Sequence, residues 1–144
     1  MATDRDVAAS LTDVVHAPTQ REGRGFDLTL GAVERIERPG SVDFGGGELA
    51  PAETAPVETE RRSPDDDYGW WVLDGGQYLF EHNESLTTDE PFFLQPRAEL
   101  LARGASHPTL SVTSLDPLPL AVPDGGVRLK ENARVSTLLP NPRA

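Results

Sequence analysis

A chain of 144 residues has the length of one domain and can bury a hydrophobic core of its own. The absence of cysteine excludes disulfides and cysteine-ligated zinc, and a net charge of −11 disfavours nucleic acid and anionic membranes as partners. No apolar stretch approaches the length of a membrane span, and the polar start lacks the apolar core of a signal peptide, so the sequence predicts a cytoplasmic protein.

The charge balance also bears on how a ligand can bind. There are 24 acidic and 13 basic residues, and Lys130 is the one lysine. Abundant carboxylates with almost no lysine predict a halophilic protein; the alternative is an ordinary acidic protein from a GC-rich genome, where arginine codons displace lysine codons. In either case an anionic ligand must bind against the field of the whole protein, so local arginines or a bound metal cation become essential.

The first half of the chain predicts one helix, one strand and a long irregular segment. Apolar residues at helical spacing predict a short N-terminal helix over 4–15, which Pro18 ends. Residues 26–30 alternate between apolar and polar side chains, as in a half-buried strand, and Gly31 is predicted to turn it. Glycine, proline and acidic residues dominate from about 45 to 67, which predicts a flexible acidic insertion in a single domain spanning 1–144; the alternative is a lid over a neighbouring subunit's site.

The second half predicts short strands separated by turns. Residues 71–73 and 78–80 have the pattern of a hairpin whose turn is Asp74-Gly75-Gly76. A brief helical turn over 97–103 is ended by Gly104. Further strands are predicted at 92–94, 109–115, 118–122, 127–129 and 134–139. Many short strands after one opening helix predict a mainly-β fold, a distorted β-barrel or jelly roll.

Four stretches occur in an informative order: Gly25-Phe26-Asp27-Leu28-Thr29-Leu30-Gly31, then 73–79, then 96–104, then 127–136. Together they resemble the framework of the dCTP deaminase and dUTPase superfamily over nearly the whole chain. The resemblance implies a β-clip barrel, a pyrimidine deoxynucleoside triphosphate as substrate and Mg²⁺ as cofactor. It also implies a homotrimer with sites between subunits, and the strands predicted at 70–73 and 134–139 would be edges buried there.

The family's phosphate-binding motif, R-S-S-L-x-R-x-G, corresponds to residues 97–104. Arg97, Leu100 and Gly104 align, both serines are replaced, and the second arginine lies one residue later, at Arg103. The resemblance implies that Arg97 and Arg103 bind the substrate phosphates. Glu99 adds negative charge where the family presents a hydroxyl, which opposes phosphate binding unless the carboxylate binds a metal or turns away.

The candidate general base is Asp116. Leu115-Asp116-Pro117 resembles the I-D-P segment whose aspartate activates water in dUTPases, while the alternative is a turn aspartate before proline. The deaminases of the family use a glutamate in a T-L-E-L strand, and neither 118–122 nor 109–112 contains one. Hydrolysis of dUTP is therefore favoured over deamination of dCTP.

Two functions stay open at this point. The first is hydrolysis of dUTP to dUMP and pyrophosphate in pyrimidine deoxynucleotide metabolism. The second is a catalytically degenerate homologue that binds nucleotide or protein, which the replaced serines, the missing glutamate and the lack of the family's glycine-rich arm after Leu139 favour on physical grounds. His16, His82 and His107 are far apart along the chain without ligand spacing, so no zinc site is predicted.

Overall fold

The computed structural model describes residues 4–141 of the chain. Its helices are α1 (Asp4–Ala9), α2 (Ala17–Gln20) and α3 (Ala98–Ala102). Its strands are β1 (Leu11–Thr12), β2 (Phe26–Arg38), β3 (Glu53–Pro56), β4 (Trp70–Leu73), β5 (Gly76–His82), β6 (Ser85–Leu86), β7 (Phe92–Pro96), β8 (Leu110–Val112), β9 (Leu118–Val122), β10 (Val127–Lys130) and β11 (Arg134–Pro140). The predicted mainly-β class is confirmed.

One curled antiparallel sheet forms the body of the molecule, in the order β8–β7–β11–β2–β5–β9, with β3 also paired to β2. The long strand β2 pairs with β11 along its first half and with β5 along its second. The register shifts between Leu30 and Ala32, and a Cβ on Gly31 would lie 2.7 Å from Asn83 Oδ1. Gly31 therefore permits a bulge and a close approach inside the strand, where the sequence had predicted a turn.

The hydrophobic core has two parts, both of which include residues of β2. One contains Leu30 and Val33 with Trp71, Phe80 and Leu120, and the other contains Phe26 and Leu28 with Phe92, Leu94 and Leu138. Two short ribbons, β1–β6 and β4–β10, lie outside the main sheet in the strand order. The inward residues of these strands extend the two cores, so the ribbons are attached by burial of apolar side chains.

The predicted helix over 4–15 is wrong in its length. Helix α1 ends at Ala9, and Leu11 pairs with Leu86 in the β1–β6 ribbon. Pro18 lies in the first turn of α2, where the missing N–H of proline has no helical partner to lose, so it begins a second helix and does not end the first. Tertiary burial of Leu11 prevails over the local helical spacing.

The predicted hairpin of 71–73 with 78–80 is also wrong. Strand β4 pairs with β10, whereas β5 pairs with β2 and β9. A Cβ on Gly75 would lie 2.7 Å from Asp124 Cα, so the turn packs against the backbone that leads into β10 and sends the chain from one sheet to the other. Strand β11 lies between β7 and β2, so it is not the edge strand that the sequence suggested.

The segment over 45–67 contains regular structure. Strand β3 pairs with β2, and isolated bridges join Ser41 to Ala50 and Glu60 to Trp70. The turn at 43–48 is closed by Asp43, whose carboxylate accepts the N–H groups of Gly46 and Glu48 at 3.0 Å. The flexibility predicted for this range stays a prediction. Within residues 4–141 every helix is too short or too polar to span a bilayer.

Candidate active site

A cavity of about 560 Å³ opens between α2, α3 and the segment that runs from β10 through its turn into β11. Its lining contains four arginines, Arg97, Arg103, Arg128 and Arg134, and one carboxylate, that of Glu99. The remaining lining residues are six apolar ones, Val15, Leu100, Val127, Leu129, Ala133 and Val135, and five polar ones, His16, Thr19, Gln20, Thr29 and Asn132. Because the chain as a whole carries a net charge of −11, this cavity is a local concentration of positive charge suited to an anionic ligand.

The two arginines predicted to bind phosphate both line this cavity. Arg97 occupies the N-cap position of α3 in an extended conformation, and its Nε lies 3.2 Å from Asp27 Oδ2. Arg103 follows the last residue of α3 and is exposed, with Nη1 3.3 Å from Glu99 Oε2. The brief helix that Gly104 ends, with φ of +86°, thus places both guanidinium groups at one opening.

Asp116 lies elsewhere in the fold. It is exposed in the turn between β8 and β9 and accepts a hydrogen bond from Ser114 Oγ at 3.2 Å. It does not belong to the lining of the cavity in its own chain. The structure therefore brings Arg97 and Arg103 together and leaves Asp116 apart, and the role of Asp116 as a base stays a prediction.

A buried carboxylate, which the sequence did not single out as a site residue, fixes one wall of the cavity. Asp27 is 2% exposed, and its Oδ2 accepts from Arg97 Nε and Arg134 Nη1, each at 3.2 Å. Its Oδ1 accepts from Thr137 Oγ1 at 2.9 Å. One carboxylate thus orients two guanidinium groups. The sequence could have indicated this role, because in Phe26-Asp27-Leu28 a charged residue lies between apolar residues of a strand, and a buried charge requires partners.

A second buried carboxylate, Glu84, lies behind the same cavity. It accepts hydrogen bonds from Thr29 N–H at 2.9 Å, from Thr29 Oγ1 at 2.6 Å and from Gln20 Nε2 at 2.9 Å. Burial raises the pKa of Glu84, and these hydrogen bonds oppose that rise. Since Thr29 and Gln20 both line the cavity, Glu84 ties α2 to β2 there. It lies in a turn without a motif, so nothing in the sequence marked it.

Two of the three histidines, distant along the chain, meet in the interior. His82 Nε2 and His107 Nε2 each lie 2.7 Å from Ser136 Oγ. His107 Nδ1 lies 2.9 Å from Pro108 O, and because a carbonyl only accepts, Nδ1 carries the proton and Nε2 accepts from the serine. The serine oxygen then accepts from His82 Nε2–H, which leaves His82 Nδ1 buried with an unused lone pair.

Both imidazoles of this cluster are neutral at pH 7. Burial is the main cause that lowers the pKa of His82, to about 3, and the nearby His107 adds to it; burial also lowers the pKa of His107. His16 lies apart, in the lining of the arginine cavity. Among residues 4–141 no three histidine or acidic side chains converge to hold a metal ion.

Comparison with known proteins places the chain in a family, although no protein-family model matches it. A probable deoxyuridine 5′-triphosphate nucleotidohydrolase of Methanosarcina acetivorans is 31% identical over 136 residues, which cover 90% of this chain and 76% of that protein. A protein of the same description from Methanosarcina mazei is 28% identical over 136 residues, with the same coverage. The order of motifs, the β fold and these similarities agree, and the chain belongs to the dUTPase family.

Proposed function

We propose that this protein hydrolyses dUTP to dUMP and pyrophosphate, in pyrimidine deoxynucleotide metabolism. The observation that carries the proposal is the cavity with four arginines in a protein of net charge −11. Both similar proteins are described as probable deoxyuridine 5′-triphosphate nucleotidohydrolases, which supports the same substrate here. The catalytically degenerate alternative has no comparable support.

Phosphate binding is assigned to the arginines at the mouth of the cavity. Arg97 is pre-oriented by Asp27, so it loses little side-chain freedom when it binds an anion. Arg103 pairs with Glu99 in an exposed i, i+4 contact, with both side chains 62% exposed. Such a pair stabilises the free protein very little, so a substrate phosphate can replace the carboxylate as the partner of Arg103.

A Mg²⁺ cofactor is part of the proposal, and the cavity lining offers one carboxylate that could help to hold the ion. Mg²⁺ is commonly held by one or two carboxylates together with substrate phosphates, and does not require a cluster of protein ligands. Glu99, the carboxylate in the cavity lining, would hold the ion beside the phosphates. Bound there, the ion neutralises phosphate charge, and the carboxylate that opposes a bare triphosphate becomes favourable.

Asp116 is proposed as the residue that orients the attacking water, with the cavity of a neighbouring subunit as its place of action. The argument is that it is exposed and lies outside the cavity of its own chain, while the family resemblance implies a homotrimer with shared sites. Strand β4 pairs with β10 on one side and is bridged to Glu60 at Trp70 on the other, and subunit contact would cover the rest of that second edge. A halophilic setting is proposed from the acidic composition, and the cytoplasmic location stays a prediction.

The test is pyrophosphate release from dUTP and from dCTP, with Mg²⁺, in molar KCl. We expect release from dUTP and no uridine nucleotide from dCTP, because strand β9 offers no carboxylate to shuttle protons. Arg97→Ala should lower kcat/KM by roughly 10²-fold, and Asp116→Asn should lower kcat with KM unchanged. Arg38→Ala, a change on the exposed far end of β2, is the matched control. Inactivity towards dUTP in all conditions would refute the proposal.

A further inference from the structure

The outer face of the β4–β10 ribbon is unusual for so acidic a protein. Lys130 pairs with Trp70 and Arg128 pairs with Val72 across the ribbon. Their neighbours Trp71, Leu73 and Leu129 are buried, so the alternate residues face outward. We call Trp70, Val72, Arg128 and Lys130 the ribbon face. The ribbon face thus places two cationic side chains, an aromatic ring and a valine side by side on one surface.

A second cavity, of about 590 Å³, lies over part of this face. Its lining includes Arg62, Trp70, Val72 and Arg128, together with Asp74 and the Gly125-Gly126 turn. It shares Arg103, Val127 and Arg128 with the lining of the first cavity, so the two openings are neighbours. Arg62, Trp70 and Val72 line the second cavity and not the first, which gives the second cavity residues of its own to test. Lys130 lines neither cavity and stands beside the second one, across the ribbon from Trp70.

The cations around the ribbon face have no acidic partners. The guanidinium of Arg62 lies 4.2 Å from the centre of the Trp70 ring, and Lys130 Nζ lies 5.5 Å from it. In the described part of the chain, no carboxylate forms an ion pair with Arg62, Arg128 or Lys130. By contrast, Arg97 and Arg103 each form one such pair, and Arg134 forms two.

The geometry points to a binding site for a polyphosphate anion in the second cavity, separate from the substrate position in the first. Guanidinium groups bind phosphate through paired hydrogen bonds, and an ammonium group adds a compact charge. The Trp70 ring holds Arg62 by a cation–π contact and offers a surface on which a base can stack. Nucleic acid fits less well, because a net charge of −11 repels a long polyanion.

Two sources supply this chemistry: inorganic pyrophosphate, and the polyphosphate tail of a second nucleotide. The proposal rests on the arrangement of charges and does not depend on hydrolysis in the first cavity. If dUTP is hydrolysed and nothing binds the ribbon face, the further inference alone fails. If the ribbon face binds pyrophosphate and dUTP is not hydrolysed, the proposed function alone fails.

The experiment follows tryptophan fluorescence during titration with pyrophosphate, without divalent ions and at constant ionic strength. We expect a saturable change that Trp70→Phe reduces, because Trp71 is buried away from the ligand. Arg62→Gln and Lys130→Gln should each weaken binding about fivefold, with KM for dUTP unchanged. Arg35→Gln, an exposed change that lines neither cavity, should bind like the parent protein.

Further titrations with dTTP, sulfate and a decathymidylate distinguish the outcomes, and calorimetry follows them because Trp70→Leu removes the fluorescent ring that reports binding. If dTTP binds more tightly than pyrophosphate, and Trp70→Leu loses that advantage, the ligand is a nucleotide. If dTTP and pyrophosphate bind equally tightly in the parent protein and in Trp70→Leu, the ligand is pyrophosphate. Sulfate binding as tightly as pyrophosphate would overturn the proposal, as would no saturable signal, or equal affinity in Arg62→Gln, Lys130→Gln and the parent. Tighter binding of the decathymidylate would overturn it in favour of a nucleic-acid surface.

Discussion

Strand β11 contacts two buried polar clusters, one on each face, and the two clusters avoid an uncompensated buried charge in opposite ways. Consecutive residues of a strand point to opposite faces, and Thr137 contacts the Asp27 carboxylate while Ser136 contacts His82 and His107. In the first cluster, two guanidinium groups compensate the buried carboxylate. In the second, burial keeps two imidazoles neutral around one hydroxyl. The comparison teaches that the partners within reach, and not burial alone, decide whether an interior group carries charge.

Acid should destabilise the protein through the neutral histidine cluster, and this is the largest change in the free energy of unfolding that we expect. The pKa of His82 is lowered from 6.5 to about 3. Between pH 6.5 and pH 3 the unfolded chain therefore binds a proton at this histidine and the folded protein does not. The free energy of unfolding should therefore fall as pH drops from 6.5 towards 3, by on the order of 4 kcal/mol at about 1.4 kcal/mol per pKa unit. Urea unfolding at a series of pH values measures the slope.

Two variants make the acid prediction specific. His82→Gln should flatten the slope between pH 6.5 and 3, whereas His16→Gln, at an exposed histidine, should keep it. Glu84 acts with the opposite sign, because its raised pKa makes the folded protein bind a proton more readily and so offsets part of the loss at low pH. An unchanged slope in His82→Gln would contradict the role assigned to the histidine cluster.

Removal of the carboxylate should break the charged cluster. Asp27→Asn leaves Arg97 and Arg134 without their shared partner, in side chains that are 25% and 24% exposed. We expect a loss of about 3 kcal/mol in the free energy of unfolding, because Arg97 is left with an uncompensated charge at a largely buried position, while Arg134 keeps its longer contact with Glu22 Oε2 at 3.9 Å. Asp89→Asn, on the exposed surface, is the control and should stay within about 0.5 kcal/mol of the parent protein. A loss below about 1 kcal/mol for Asp27→Asn would show that the pairing is incidental.

Deletion of one hydroxyl sharpens the comparison between the two faces of β11. Ser136→Ala leaves His82 Nε2–H and His107 Nε2 without a partner in the interior, and we expect a loss of about 2 kcal/mol. Ser136→Thr keeps the hydroxyl and tests whether the added methyl group is tolerated. Thermal unfolding followed by circular dichroism ranks the variants, and an alanine variant as stable as the parent protein would contradict the hydrogen-bond assignment.

The smallest effect on stability is expected at the exposed end of the arginine cavity. Glu99→Gln removes a pair whose side chains are both 62% exposed, so the free energy of unfolding should change by less than about 0.5 kcal/mol. Without divalent ions, affinity for dUTP should rise about threefold, because a negative charge beside the phosphates is lost. With Mg²⁺ the same variant should bind less tightly than the parent protein. Calorimetric titration in both conditions measures the reversal, and no reversal would argue against Glu99 as a metal ligand.

Features with a local cause were predictable from the sequence. The strand at 26–30 follows from its two-residue alternation, and the end of α3 at Arg103-Gly104 follows from the ease with which glycine adopts a positive φ. The half-burial predicted for 26–30 is wrong, because the polar residues of the alternation, Asp27 and Thr29, are buried as well, where they find hydrogen-bond partners. The family could be identified because the motifs occur in order along the chain. That Arg97 and Arg103 line one cavity could be predicted because they flank one short helix.

Contacts that depend on strand register were decided by the tertiary structure. Asp27 and Arg134 lie 107 positions apart, and they meet because β2 pairs with β11 at a particular register. His82 and His107 meet at Ser136 for the same kind of reason. Local pattern fixes which face of a strand is apolar, but not which strand lies beside it, since pairing is selected by the burial of the whole core. The sequence therefore determined the fold class and the short helix with an arginine at each end, and the tertiary structure decided which charges share the interior.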